Sequence, residues 1–431
     1  MKTHFTTGRA ATRTEQLLRE LEDRSSVATT QLEPVVRRIL LAVRKKGDAG
    51  LRQYASKLDG LSANTPLLIS REKMAEAWRD TPKELRESMK VATKNIRRFA
   101  QWQMPKNWTR QAGEGLQLGQ RCLPLASVGC YVPGGRYPLP STVLMTVLPA
   151  KVAGVQRIVV VSPRPVKETL AAAHLAGVEE FYRVGGAQAI AALAYGTSSI
   201  PRVDKIVGPG NLYVTTAKKL VAFDCSIDML AGPTEIVVAS EDGNAAFIAS
   251  DLVAQAEHDP NALAVFVTSN AKLAEAVTFE VEKQAAENAI AQQALKKNGF
   301  IFVTPSANVT ATVTNRLASE HLTIDRANDL QWVQHAGSIF VGEQTPQSMG
   351  DYISGTNHVL PTGRLARTRG GLSVYDYLRL VTTQSYTAKG LAMRGPDAIR
   401  MAEAEGLKGH AASVRARIAP GTKKRKESSS R

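Results

Sequence analysis

The sequence predicts an α/β protein: two wound, mostly parallel sheet domains of an incomplete Rossmann-like kind, with a helical N-terminal region and a C-terminal helical arm. Three observations carry that expectation. Short apolar runs at 157–162, 180–184, 205–208, 235–239, 264–268 and 300–303 alternate with Ala-rich stretches of helical period, the pattern of parallel strands joined by crossover helices. The first hundred residues and those after Leu372 keep only the helical pattern. Glycine-rich turns at 131–135, 184–188 and 207–211 stand at or near strand ends, where doubly wound folds bind nucleotides.

Taken in order, 33–58 keeps apolar residues at Val35, Val36, Ile39, Leu40 and Val43, one face of an amphipathic helix, and 71–103 is long, charged and amphipathic. Helices are expected between the strands at 141–153, 166–176, 186–194, 244–257, 271–293 and 307–318, with a short strand at Leu322-Thr323-Ile324. Helices at 397–405 and 409–418 are joined at Gly406. No internal repeat is evident.

Length and composition narrow the function. A chain of 431 residues can bury large cores over several domains. Its longest apolar run, near 142–155, is interrupted by Pro149 and Lys151, so no transmembrane helix is expected. The start, Met1-Lys2-Thr3-His4-Phe5, lacks a secretory pattern, and a cytoplasmic address is expected. Cys122, Cys130 and Cys225 have neither metal-type spacing nor the even count of a disulfide framework. About a quarter of the formal charge of +16 lies in the last ten residues, around Lys423-Lys424-Arg425-Lys426. Without aromatic interleaving or a zinc-finger pattern, no nucleic-acid partner is expected, while anionic ligands fit.

Four polar clusters stand out. Between Gly350 and Thr362, Asp351, Asn357 and His358 crowd together with almost no hydrophobic periodicity to explain them. Gln255 and His258 end the helix at 244–257 with i, i+3 spacing, so both fall on one face and two ligands can converge, although Gln is an unusual zinc ligand. Glu320-His321 sits where a helix gives way to a strand, and His321 is the better general-base candidate because histidine titrates near neutral pH. Glu405-Gly406-Leu407-Lys408-Gly409-His410 has two glycines that permit a sharp helix break. The ordinary alternatives are a helix-end hydrogen bond, surface pairs and a bonded loop. None of the glycine turns is a G-x-G-x-x-G fingerprint.

As a set these segments resemble the histidinol dehydrogenase family from roughly Gly129 to His410, in the family's order. The likeness rests on Tyr-Val-Pro-Gly-Gly at 131–135, Gly-Gly-Ala-Gln-Ala-Ile at 185–190, Val-Gly-Pro-Gly-Asn at 207–211, Ala-Gly-Pro-Thr-Glu at 231–235, Gln-Ala-Glu-His-Asp-Pro at 255–260, Ser-Glu-His-Leu at 319–322 and Ser-Gly-Thr-Asn-His-Val-Leu-Pro-Thr at 354–362. The resemblance implies one Zn2+ per subunit, held by Gln255, His258, Asp351 and His410. It implies NAD+ contacts from Tyr131, Gln188 and Asn211. Thr234, Gln255, His258, His321, Asp351, His358, Glu405 and His410 would surround the substrate L-histidinol, with Glu320 and His321 catalytic. The domains it implies are an N-terminal arm at 1–25, a main α/β body at 26–128 plus 234–372 with the zinc and catalytic residues, and an inserted α/β domain at 129–233 that contributes to NAD binding. A helical arm at 373–420 would be exchanged with the second subunit of a homodimer, ahead of a basic disordered tail at 421–431. Ser319 and Thr234 depart from the family's common Pro and Ser.

The implied reaction oxidises L-histidinol through L-histidinaldehyde to L-histidine with two NAD+, the last steps of histidine biosynthesis. The same frame admits a sulfonated-diol dehydrogenase, and a non-catalytic basic binding protein is a further alternative. A thiohemiacetal route for the second step would call on Cys130, which has no base evident in the sequence.

Overall fold

The structure is a computed structural model that describes residues 1–24, 27–62, 64–134 and 138–418. The tail expected at 421–431 lies outside these residues, as do Gly135 and the arm boundary expected at 25–26. Along the chain the strands are β1 (Lys2–Phe5), β2 (Leu68–Ile69), β3 (Trp108–Gln111), β4 (Leu116–Pro124), β5 (Ser127–Tyr131), β6 (Arg157–Val161), β7 (Glu180–Tyr182), β8 (Lys205–Val207), β9 (Ser226–Ile227), β10 (Glu235–Ala239), β11 (Leu263–Thr268), β12 (Gly299–Val303), β13 (His321–Ile324), β14 (Ser338–Val341) and β15 (Leu378–Tyr386).

The α/β class expected from the sequence is the one found. One sheet, ordered β1-β12-β11-β10-β13-β14, is parallel throughout. The other wound sheet, β2-β7-β6-β5-β8-β9, is parallel except where β2 meets β7. In each, the first central strand (β10 or β5) sends its successors to one side before the chain crosses to the other, which makes a switch point beside it. The central strands are apolar on both faces, as parallel strands covered by helices must be: every residue of β10, β11 and β12 is buried. Ile236 and Val238 face helices Ala245–Ala256, Ala271–Gln284 and Ala289–Asn298, while Val237 and Leu322 face Ala11–Glu22 and Ala307–Leu317.

Where structure and sequence reading differ, a local cause can be named. The stretch at 33–58 forms two helices, Val27–Lys46 and Asp48–Asp59, parted at Gly47 with φ 54°. The stretch at 71–103 divides at Thr81-Pro82 into Arg71–Asp80 and Lys83–Gln103, since proline opens a helix far more readily than it continues one. The stretch at 271–293 divides at Asn288, whose side chain caps the second helix through Ala291 N. Helices Val27–Lys46 and Asp48–Asp59, which the resemblance groups at 26–128 with 234–372, share a core with the sheet around β5: Val36, Ile39, Leu40 and Leu51 pack with Val159, Ile190 and Leu193.

The chain divides into two compact units, Met1–Met104 with Leu125–Tyr377, and Pro105–Pro124 with the chain from Leu378 onward. The second unit holds an antiparallel sheet, β15-β4-β3, registered from Leu378 opposite Pro124 to Tyr386 opposite Leu116, and helices Ala388–Ala404 and Lys408–Ile418. An arm expected to be helical therefore opens with a nine-residue strand. All of β15 after Leu378 is exposed, so it lacks the apolar alternation by which a half-buried strand is read. No helix among the described residues is long and apolar enough to cross a membrane.

Candidate active site

The parallel sheet around β10 carries the first group of candidate residues at the N-terminal ends of its central strands. Helix Ala307–Leu317 stops at Ala318, whose φ of 46° turns the chain sharply, and Ser319-Glu320-His321 then enters β13. Register sets His321 beside Ile236 of β10, next to Thr234 and Glu235. The Glu320 carboxylate accepts hydrogen bonds from Thr234 Oγ1 at 2.5 Å and from Glu235 N at 2.9 Å. Its Oε2 lies 3.6 Å from His321 Nδ1, so this adjacent pair, which an ideal strand would point to opposite faces, meets across the bend.

His321 is 3% exposed and is approached on both ring nitrogens. Nδ1 stands 3.2 Å from the Glu235 carbonyl oxygen and 3.5 Å from Gln255 Nε2, and Nε2 stands 3.4 Å from Asp351 Oδ1. Phe340 of β14 stacks on the ring, with centroids 5.8 Å apart. Burial by itself lowers the His321 pKa, but the Glu320 and Asp351 carboxylates outweigh it and push it up to about 10. The near-neutral value expected from the sequence therefore does not hold in this surrounding. Burial would raise Asp351, yet the hydrogen bond and charge of His321, helped by His358 and His258, bring it below its usual range.

Asp351 lies on the short helix Gln347–Tyr352 and His358 seven residues on; His358 Nδ1 is 2.8 Å from the Asp351 carbonyl oxygen and its Nε2 is 3.2 Å from Thr142 Oγ1. Burial lowers the His358 pKa, which favours the neutral ring. Glu235, buried beside Glu320, is matched by a two-pronged Arg24 guanidinium at 2.8 and 2.7 Å and by Gly363 N at 2.8 Å. Arg24, Glu235, Thr142 and Phe340 were not legible as site residues, because each acts only through distant partners.

Gln255, 1% exposed, donates Nε2 to Thr234 Oγ1, and its Oε1 is buried without a partner. An orphaned carbonyl oxygen in a polar site fits a cation or a donor supplied by a ligand. His258 is exposed just beyond the helix end. No group of three or more His, Cys, Asp or Glu set to hold a metal occurs among the described residues. Gln255, His258 and Asp351 still offer an imidazole and a carboxylate, which suit zinc, and an amide oxygen, which is a less usual ligand for it. Glu405 and His410 belong to the second unit, where both are exposed on either side of the break at Gly406.

The second group lies at the C-terminal ends of the sheet around β5, beside its switch point. A cavity of about 590 Å3 there is lined by Tyr131, Gln188 and Asn211 together with the cationic Arg38, Lys57 and Arg164. Asn211 caps helix Leu212–Val221 through Tyr213 N and Val214 N. Gly208, φ 109°, has no room for a side chain because a Cβ would overlap the Tyr131 carbonyl oxygen. The turn is bolted from below by the buried pair Lys218–Asp228: Lys218 Nζ bonds the Gly208 oxygen at 3.0 Å, and Asp228 accepts Gly208 N at 2.7 Å. Cys130 is fully buried in β5 and burial pushes its thiol up to about 12, which leaves no reactive thiolate for a thiohemiacetal.

The histidinol dehydrogenase family profile matches residues 22–418. The chain belongs to the histidinol dehydrogenase family. It is 43% identical over 403 residues to histidinol dehydrogenase of Synechococcus sp., covering 90% of this chain and 93% of the relative. Histidinol dehydrogenase of Methanosarcina mazei is 44% identical over 396 residues, with 88% and 90% covered. The crystal structure of histidinol dehydrogenase from Elizabethkingia anophelis superposes with a TM-score of 0.90 at 32% identity, covering 97% of this chain and 98% of that one. Membership of the histidinol dehydrogenase family makes the chain an oxidoreductase.

Proposed function

We propose that this protein oxidises L-histidinol through L-histidinaldehyde to L-histidine, with two NAD+ accepting the two hydrides, in the last steps of histidine biosynthesis in the cytoplasm. The observation that carries the reading is His321, wedged between Glu320 and Asp351 and beside Gln255, whose amide oxygen is buried without a partner.

Gln255, His258 and Asp351, with His410, would hold one Zn2+, which when bound supplies positive charge and a fixed attachment for the imidazole and amine of the substrate. Committing the Asp351 carboxylate to a ligand would remove one of the two carboxylates that raise the His321 pKa, Glu320 being the other. His321 then accepts the alcohol proton as the first hydride leaves. Glu320, steadied by Thr234 and Glu235 N, takes a proton from water as the oxygen adds to the aldehyde. His321 returns its proton to the aldehyde oxygen as the hydrate forms, and so is free to accept the hydrate's proton as the second hydride leaves. Thr234, His358 and Glu405 line the substrate on this reading, and burial keeps the aldehyde from solvent. The cavity with Tyr131, Gln188 and Asn211 would take NAD+, its cationic rim suiting the pyrophosphate.

Glu405 and His410 would reach the site from the partner of a homodimer. The exposure of Leu380, Val381, Tyr386, Met393 and Met401 in the second unit supports a covering subunit. The test is the NADH formed per histidinol consumed with zinc and excess NAD+. A ratio near two, lost in His321→Ala, supports the reading; no NADH from histidinol would refute it and turn attention to sulfonated diols.

A further inference from the structure

Gln188 is fully buried on the first turn of helix Gly186–Tyr195, and its amide is held at one end only. Its Nε2 donates to Asp59 Oδ2 at 3.0 Å, while its Oε1 is buried without a partner. Asp59 closes helix Asp48–Asp59, and the same Oδ2 accepts Gly185 N at 3.1 Å. Next along the turn, Gly186 N donates to the Tyr131 hydroxyl at 3.1 Å. Gln188 Oε1 stands over the open side of Gly186, where a Cβ would come within 2.8 Å of it, and Gly186, Gln188 and Asp59 all line the cavity. Burial raises the Asp59 pKa, against the opposing pull of the Gly185 and Gln188 hydrogen bonds. A half-buried carboxylate at the cavity wall, with both bonds on one oxygen, has the geometry of an anchor.

We infer that Asp59 is a positioning residue for the cofactor: it captures the amide nitrogen of Gln188, so that the oxygen is the atom left to a ligand. An amide has one donor end and one acceptor end, and which end a ligand meets depends on which is already engaged. With Nε2 engaged by Asp59, the cavity asks for a ligand that donates an O–H or N–H at this point, as a ribose hydroxyl or a carboxamide does. The inference rests on the reading of this cavity as the NAD+ site.

The experiment compares Asp59→Ala, Asp59→Asn, Gln188→Leu and Gln188→Glu for KM of NAD+, KM of histidinol, kcat and thermal midpoint, alongside direct NAD+ binding to the zinc-loaded wild type. One buried hydrogen bond and its alignment are worth up to about tenfold, so Asp59→Ala raises the KM of NAD+ by that order, with kcat and the histidinol KM held within about twofold. Asp59→Asn recovers most of the loss, because one neutral amide oxygen can accept both bonds. Adding Asp59→Ala to Gln188→Leu raises KM no further, as residues acting through one contact are not additive. Gln188→Glu keeps an oxygen for the ligand but sets a second carboxylate against Asp59, so it loses NAD+ affinity as Gln188→Leu does, and this arm decides the matter if Asp59→Ala does not fold. An unchanged NAD+ KM in folded Asp59→Ala, or full affinity in Gln188→Glu, overturns the inference while leaving the NAD+ reading intact. A wild type that binds no NAD+ overturns both.

Discussion

The buried pair under the Val207–Asn211 turn gives the most quantitative test of how the cofactor cavity is held. Lys218 and Asp228 are 2% and 0% exposed at their side chains, and Asp228 also accepts the backbone N–H groups of Gly208 and Met229, at 2.7 and 2.5 Å. In Lys218→Met the carboxylate stays buried without its counter-ion, which costs about 3–5 kcal/mol, and its remaining backbone bonds place the expectation near 3. Spread over roughly 350 residues of the larger unit at about 2.1 cal/mol/K each, that is a fall of about 4 °C in thermal midpoint. Scanning calorimetry reads the shift, and NAD+ titration reads the accompanying loosening of the turn that presents Asn211. Lys218→Met with Asp228→Asn removes the unpaired charge while the amide oxygen still serves one of the two backbone N–H groups, and is expected to restore about half the loss. A shift below about 1 °C, or a double variant no more stable than Lys218→Met alone, would refute the reasoning.

Further outcomes can be stated briefly. Glu320→Gln is expected to slow aldehyde oxidation by at least about a hundredfold while alcohol oxidation persists, seen as an NADH yield falling from two toward one per histidinol. Gly350→Ala sets a methyl 2.7 Å from the Phe340 ring that stacks on His321, so kcat should drop about tenfold or more, and a circular-dichroism melt should fall by the equivalent of about 1–3 kcal/mol. Burial raises Asp251 to about 6, above its value in the unfolded chain, so its carboxyl costs stability as pH rises through the interval from about 4 to 6. In metal-free protein Asp251→Asn should match wild type below about pH 4 and exceed it by about 1–2 kcal/mol near pH 8, measured by urea unfolding; equal stabilities at pH 8 would remove the argument. Co-expressed His321→Ala and His410→Ala chains should recover about a quarter of wild-type activity if His410 crosses between subunits, and none if it serves its own chain.

Much of the framework was legible because parallel strands buried on both faces leave continuous apolar runs, as at 235–239 and 300–303. Exposed β15 and half-buried β4 left no such trace, and β5, Ser-Val-Gly-Cys-Tyr, is too short and too rich in small residues to signal itself. The polar clusters at Glu320-His321, Asp351 and Gln255 stood out since no helix or strand period accounts for them, and the structure draws them together around the imidazole of His321. Their supports were hidden. Asp59 lies 129 residues from Gln188, and Arg24 lies 211 from Glu235, so nothing local marks either as a partner. The shift of His321 could not be foreseen either, because it depends on two carboxylates converging on one ring rather than on histidine itself.

Helix Pro140–Ala153 touches both halves of the proposed chemistry. Its Thr142 meets His358 at 3.2 Å, its Met145 carbonyl oxygen accepts Asn357 Nδ2 at 2.7 Å, and its Thr146 carbonyl oxygen accepts the Tyr377 hydroxyl at 2.8 Å, while its own body packs against the sheet that bears the cofactor cavity. The helix thus works as a spacer bar with rivets at successive turns, tying the loop that bears His358 to the sheet that bears the cavity. The two-step oxidation proposed above would have to renew its cofactor without unfastening the rivets. Spent and fresh NAD would trade places through the mouth of the cavity while the half-oxidised substrate waits, clamped, for the second transfer.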